Sequence, residues 1–282
     1  MKHDIRMIAA DLDGTLLGAD RKISAYNLEM IRQAQQRGII FAACTGRYPE
    51  NAAQMMLDAG IICPVVSTNG AVAELSPYGE RIREVFMDAK ATKSVFEQLE
   101  ALGAGYYMFG KGTVDSRRDL PRHISEADPE HLLKLKQRVC YQYGLDACRA
   151  ALERPVYKFF VYFDKGSSTA RDINTALSGI PGIGVTQSGS SNLEIMSSAA
   201  DKGIGLQVLC QALGIKAEQT MALGDQLNDL PMIRYAGLGI AMGNAPETVR
   251  QAADAVTQRN TDDGVGKAIQ RFVLSDYPLI DS

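Results

Sequence analysis

No stretch of this 282-residue chain stays apolar for the ~18 or more residues that a membrane-spanning helix needs. No Cys-x-x-Cys pair occurs among its five cysteines, Cys44, Cys63, Cys140, Cys148 and Cys210. The odd number argues against a disulfide framework, and the missing pair against a zinc site. Reduced thiols in a cytoplasm are the simplest reading. Asp4, Arg6 and Asp11 interrupt the N-terminal MKHDIRMIAADLDG before a signal-peptide apolar region can form, so a cytoplasmic location is expected. The histidines His3, His123 and His131 show no ligand spacing. Long charge runs, low-complexity tracts and internal repeats are missing too. The net charge is −3 with both signs interleaved, which excludes a basic nucleic-acid face or a polybasic membrane patch. Neither nucleic acid nor a membrane is therefore an expected partner.

What is present suits a soluble globular protein. Hydrophobic residues make up 46%, ample for a core, and the length allows one large or two modest domains. Met7–Ala10 reads as a buried strand. Ser24 follows as the N-cap of a helix through Arg37, with Leu28, Ile31 and Ala34 at helical spacing and Gly38 as the stop. Ile39–Cys44 is a second strand, Pro49–Ala59 a second helix and Pro64–Ser67 a third strand. This alternation predicts an α/β fold with a Rossmann-like parallel sheet. From Arg83 to Ser191 the pattern changes. A helix near Thr92–Leu102 mixes with aromatic runs, Gly105–Phe109 and Val156–Phe163, that alternate as antiparallel strands do. This is read as an inserted α+β cap domain, residues 83–191, between core segments 1–82 and 192–282. The core pattern resumes with a helix from Lys202 to Leu213, strands at Thr220–Leu223 and Leu238–Ala241, and a last helix near Gly266–Leu274.

Four polar clusters stand where predicted strands end or helices begin: Asp11-x-Asp13-Gly14-Thr15, Thr45-Gly46-Arg47, Lys202, and Gly224-Asp225-x-x-Asn228-Asp229. Singly, each has an ordinary explanation. Asp-Gly is a turn pair, Thr-Gly a loop, and Lys202 a solvated helix start. Together they lie at the carboxyl ends of strands, where open α/β sheets bind ligands.

In order and spacing these clusters resemble the four signature motifs of the haloacid dehalogenase-like phosphohydrolases. Ser67-Thr68-Asn69-Gly70-Ala71 and Asp263-Gly264-Val265 resemble the Cof-type sugar-phosphatase branch, whose large α/β cap matches the insertion in size and position. The resemblance implies a phosphatase that works through an aspartyl-phosphate. It assigns the nucleophile to Asp11 and the acid–base role to Asp13. Lys202 would stabilise phosphoryl charge, and Thr45, Gly46 and Asn228 would bind the substrate phosphate. Mg2+ would be held by Asp11, the backbone carbonyl of Asp13 and Asp225, with Asp229 supporting the metal shell or Lys202. A dianionic ester resists an anionic nucleophile, so charge neutralisation at such a site is chemically required.

Arg47, Lys158 and Asn192 are candidate substrate contacts, and Glu194 faces substrate or a hinge. The aromatics of 156–163 are read as cap core, and Cys44 as strand packing. A small phosphorylated metabolite, with sugar phosphates first, is the expected partner of a monomer or small homo-oligomer. Two other functions fit the same residues: a phosphomutase or phosphotransferase, and a non-catalytic phosphate-ligand sensor.

Overall fold

The computed structural model describes residues 4–117, 128–162, 170–187 and 192–275. In chain order the strands and helices are β1 (Met7–Ala10), α1 (Ala25–Gln36), β2 (Ile40–Cys44), α2 (Pro49–Asp58), β3 (Val65–Ser67), β4 (Val72–Glu74) and β5 (Arg81–Glu84). Then come α3 (Ala89–Ala101), β6 (Gly105–Gly110), β7 (Thr113–Ser116), α4 (Pro129–Lys136), β8 (Cys140–Tyr143), α5 (Leu145–Ala151), β9 (Val156–Tyr162), α6 (Ala170–Leu177), β10 (Ile183–Thr186) and β11 (Asn192–Ser197). The chain closes with α7 (Lys202–Ala212), β12 (Thr220–Gly224), α8 (Leu230–Tyr235), β13 (Leu238–Ala241), α9 (Glu247–Arg250), β14 (Ala255–Val256) and α10 (Gly264–Ile269). A wider final turn, Gln270–Leu274, follows α10.

Eight strands form the first sheet, in the order β14-β13-β12-β1-β2-β3-β4-β5. From β14 to β3 every pairing is parallel, and β4 and β5 add an antiparallel edge. Central parallel strands are covered on both faces, and the sequence meets that demand with uninterrupted apolar runs. Along β1, Ile8 and Ala10 enter one core with Phe41, Ala43, Met221 and Leu223. Met7 and Ala9 enter the opposite core with Ala42, Cys44, Ala222 and Leu206 of α7. Ser24 caps α1 by accepting from the Asn27 amide at 3.0 Å.

Six strands form the second sheet, β10-β11-β9-β6-β7-β8, antiparallel except for β7 with β8. Its two faces differ because alternate residues point to opposite sides. Tyr106, Met108, Phe159, Val161, Leu193 and Ile195 pack under its helices. Tyr107, Phe109 and Phe160 face the other way and gather around Tyr48, which opens α2 of the first sheet's layer. Tyr48 and Phe109 stack with ring centroids 5.2 Å apart. The aromatic run 156–163 is therefore only partly interior to the cap: Phe159 is buried within it, Tyr157 is buried but reaches Arg81 and Glu84 of β5, and Phe160 and Tyr162 line its core-facing side. Phe163 lies outside the described residues.

The sequence places the domain boundaries at 82/83 and 191/192, but the hydrogen bonding moves both. β5 keeps the chain in the first sheet through Glu84. Asn192–Ser197 belongs to the second sheet, paired with β10 on one side and β9 on the other. Its alternation explains this: Leu193 and Ile195 fill the cap core, and Glu194 and Met196 take the opposite face. The return to the first sheet's layer comes after Ser197. Among the described residues no helix is long and apolar enough to cross a membrane.

Candidate active site

β1 ends at Ala10, and the Asp11 amide continues its ladder by donating to the Leu223 carbonyl of β12 at 3.0 Å. Asp11 is thus fixed by backbone pairing at the carboxyl end of a central strand. The chain then turns outward at Gly14, whose φ of +82° suits glycine. A Cβ there would lie 2.4 Å from Asp225 Oδ2, so glycine lets the β1 loop press against the β12 loop. Thr15 Oγ1 donates to Asp225 Oδ1 at 2.8 Å across the same gap. Asn244 stitches the two loops again, donating to the Gly14 carbonyl at 2.8 Å and to Asp225 Oδ2 at 3.3 Å.

Lys202 is the first residue of α7, where a lysine opposes the helix dipole. Its surroundings offset that penalty. The side chain is almost completely buried, and Nζ donates to Asp11 Oδ1 at 2.7 Å and Asp229 Oδ1 at 2.5 Å. Asp201 caps the helix by accepting from the Ile204 amide at 2.9 Å. α7 reaches this depth because Gly205 lies against the loop after β3: a Cβ there would meet Val66 Cγ1 at 2.6 Å and Gly70 Cα at 2.8 Å. Asp229 uses its other oxygen to accept from the Asp225 and Gln226 amides at 2.8 and 2.9 Å.

The carboxylates of Asp11, Asp225 and Asp229 bring one oxygen each within 4.8 Å of one another, all buried. Asp13 stands apart from them. Its side chain is 55% exposed and turned to Arg47, which donates from Nε and Nη2 at 2.7 and 2.6 Å. Burial, outweighing Lys202 and helped by the neighbouring acids, holds the Asp11 carboxyl well above the usual carboxylate range. Burial and then Asp229 push Asp225 up to about 6. For Lys202 burial acts downward, but Asp11 and Asp229 outweigh it and hold the ammonium above its ordinary value. Crowded, buried, hard oxygen donors suit a small divalent cation.

Thr45 is buried, and its hydroxyl accepts from the Arg47 amide at 3.1 Å. Gly46 is held from the other layer, its carbonyl accepting from Lys158 Nζ at 2.6 Å. Lys158 also pairs with Glu194, and both are buried. Lys158, expected to contact substrate, is thus engaged with Gly46 and Glu194. Glu194 accepts in turn from Asn69 Nδ2 at 2.9 Å, and Asn69 Oδ1 accepts from Asn228 Nδ2 at 3.1 Å. Asn228 Oδ1 is buried without a partner among the described residues. Asn192 lies on β11 opposite Tyr162, two residues from Glu194 on the same face. Cys44 packs in the core, where burial raises its thiol pKa and disfavours a thiolate. Of the histidines, His131 joins a hydrogen-bonded network with Asp58 and Asn51, while His3 and His123 lie outside the described residues.

Asn244 is not among the sequence-derived site residues, and Asn69 enters the sequence reading only as part of the Ser67–Ala71 motif. Both sit in polar clusters after strands. Asn69 adds another mark, a left-handed backbone at φ +51° that asparagine tolerates better than most residues.

Residues 8–269 match the haloacid dehalogenase-like hydrolase family. The chain belongs to that family. A phosphatase of Bacillus subtilis, YwpJ, is 31% identical over 95% of this chain and 100% of its own. The 5-amino-6-(5-phospho-D-ribitylamino)uracil phosphatase YcsE of the same organism is 28% identical, over 96% of this chain and 97% of its own. A haloacid dehalogenase-like hydrolase structure from B. subtilis superposes with a TM-score of 0.82 at 28% identity, covering 95% of this chain and 100% of that one. The protein is accordingly an enzyme of this hydrolase family, and its full-length relatives place it among the phosphatases.

Proposed function

We propose that this enzyme is a magnesium-dependent phosphatase of small phosphorylated metabolites, sugar phosphates first, acting through an aspartyl-phosphate on Asp11. The observation that carries the reading is Asp11 itself. It is buried at the strand end, with Oδ1 held by Lys202, and Oδ2 accepts no hydrogen bond among the described residues. That leaves Oδ2 as the attacking oxygen. Family membership and full-length phosphatase relatives support the same chemistry.

Asp11 Oδ2 bonds to phosphorus as the bond from phosphorus to the leaving oxygen breaks. Asp13, at the rim and aimed outward, supplies the proton that the leaving oxygen needs. Water then attacks the phosphoryl group, Asp13 takes its proton, and phosphate leaves as Asp11 is restored. Lys202 balances negative charge on Asp11 and on the phosphoryl oxygens. The Thr45 hydroxyl and Gly46 amide are the donors on the opposite side, and the Lys158 bond fixes the Gly46 peptide. Asp11, Asp225 and the Asp13 backbone carbonyl are the groups that would hold Mg2+, while Asp229, with both oxygens engaged, orders Lys202 and the Asp225 loop. The ion, when bound, neutralises charge on the transferring group. The second sheet covers this end of the first and restricts access to small molecules, and the cytoplasm is the proposed location.

The test is phosphate release from a panel of phosphorylated metabolites, with Mg2+, with chelator, and with the Asp11→Asn variant. Release that requires both Mg2+ and Asp11 is the expected result. Release that survives chelator and Asp11→Asn would overturn the assignment.

A further inference from the structure

Arg47 uses all three of its nitrogens. Nε and Nη2 hold Asp13, and Nη1 donates to Asn51 Oδ1 at 2.9 Å. Asn51 lies one turn further along, on α2, and its amide is turned by a partner from the other layer. Asn51 Nδ2 is 3.2 Å from His131 Nε2 on α4, and His131 Nδ1 is 2.7 Å from Asp58 Oδ2. The pairing determines who donates. Arg47 can only donate, so Asn51 turns Oδ1 to it and Nδ2 to His131; Nε2 then accepts, which leaves the ring proton on Nδ1 to face Asp58. A cavity of about 810 Å³ opens beside this chain, lined by Leu17, Arg21, Arg47, Asn51, His131 and Lys134 among others. It lies between the β1 loop, α2 and the cap helix α4.

We propose that Asn51 and His131 are positioning residues through which the cap sets Arg47, and with it the leaving-group side of the active site. The proposal rests on the phosphatase reading above. Among the described residues Asp13 and Asn51 take three of the five guanidinium N–H groups, which leaves two for a ligand. A planar fork pinned along one edge presents those donors in a fixed direction. Docking of α4 supplies His131, His131 sets the Asn51 amide, and the amide sets Arg47. The cap thereby reaches the reacting end without a cap side chain touching the phosphoryl group.

The test is a double-mutant cycle on kcat/KM for a sugar phosphate, with wild type, Asn51→Ala, Arg47→Ala and the double variant. A residue that acts through Arg47 matters only while Arg47 is there. Asn51→Ala is expected to lower kcat/KM by about tenfold alone and by less than about twofold in the Arg47→Ala background. His131→Ala is expected to reproduce the loss, and His131→Gln, whose carbonyl can accept from the Asn51 amide, to restore most of it. Thermal unfolding of each variant separates this from loss of fold. Equal losses in both backgrounds, or no loss from Asn51→Ala, would overturn the proposal. A wild-type enzyme with no Mg2+-dependent release from any ester would instead sink the phosphatase reading beneath it.

Discussion

Lys202 Nζ stands 2.7 Å from Asp11 Oδ1, inside a site where the two side chains are only 1% and 8% exposed. Removing the ammonium strands two buried acids, Asp11 and Asp229, and loss of one partner from a buried pair costs about 3–5 kcal/mol. Lys202→Met should therefore lose turnover and also unfold at a distinctly lower temperature. A variant as stable as wild type in a thermal melt would contradict the buried pairing.

Asp11→Asn separates chemistry from stability. The amide keeps the size of the carboxylate and removes one of three crowded acids, but it is a poor nucleophile. Turnover should fall to background while the melting temperature stays close to wild type. Phosphate release assays and calorimetry on one preparation check both.

Magnesium should bind where the acids crowd. An ion that binds the native state raises apparent stability with its concentration. Wild type should melt higher as Mg2+ is added, and Asp225→Asn should show little or no such rise. An equal Mg2+ shift in both proteins would place the ion elsewhere.

Asp58 gives a pH signature far from the reacting atoms. Burial pushes its carboxyl up, but hydrogen bonds from His131, Lys134 and Gln54 outweigh this and hold it below the usual range. A lowered folded pKa contributes stability that is present above the unfolded value, about 4, and lost as pH falls through the folded value. The melting temperatures of wild type and Asp58→Asn should differ at pH 7, begin to approach each other near about pH 4 and converge only below the lowered folded value. A gap that persists at acid pH would deny the ionic contribution.

Gly205→Ala tests the close approach that carries α7 to the site. The added methyl would meet Val66 and Gly70, and overpacking of this kind costs about 1–3 kcal/mol. Since the same helix carries Lys202, activity should drop further than the stability loss alone explains. Steady-state kinetics well below the melting temperature would show it.

Much of the core was legible because each strand of the parallel sheet is a continuous apolar run that ends in a polar cluster. Asp11, Thr45 and Asp225 could be placed from that pattern alone, and Ser24 was a readable cap. The return boundary was not. β11 pairs with β10, which directly precedes it, and with β9 beyond α6, and Asn192 resembles the start of a core segment until that pairing is seen. The engagement of Lys158 with Gly46 was hidden for a related reason: a lysine in an aromatic strand says nothing about which loop 112 residues away it will meet. Arg47 was marked as a candidate substrate contact, but its grip on Asp13 depends on how two loops face each other, which no local spacing encodes.

The stack of Tyr48 on Phe109 joins the two layers, each ring being 3% exposed. Any motion that lifts the cap there peels the rings apart and wets both. Wetting apolar surface raises heat capacity, so the free energy of opening curves with temperature instead of following a straight line. If opening limits turnover, the temperature dependence of kcat will bend for that reason, well below the temperature at which the fold is lost.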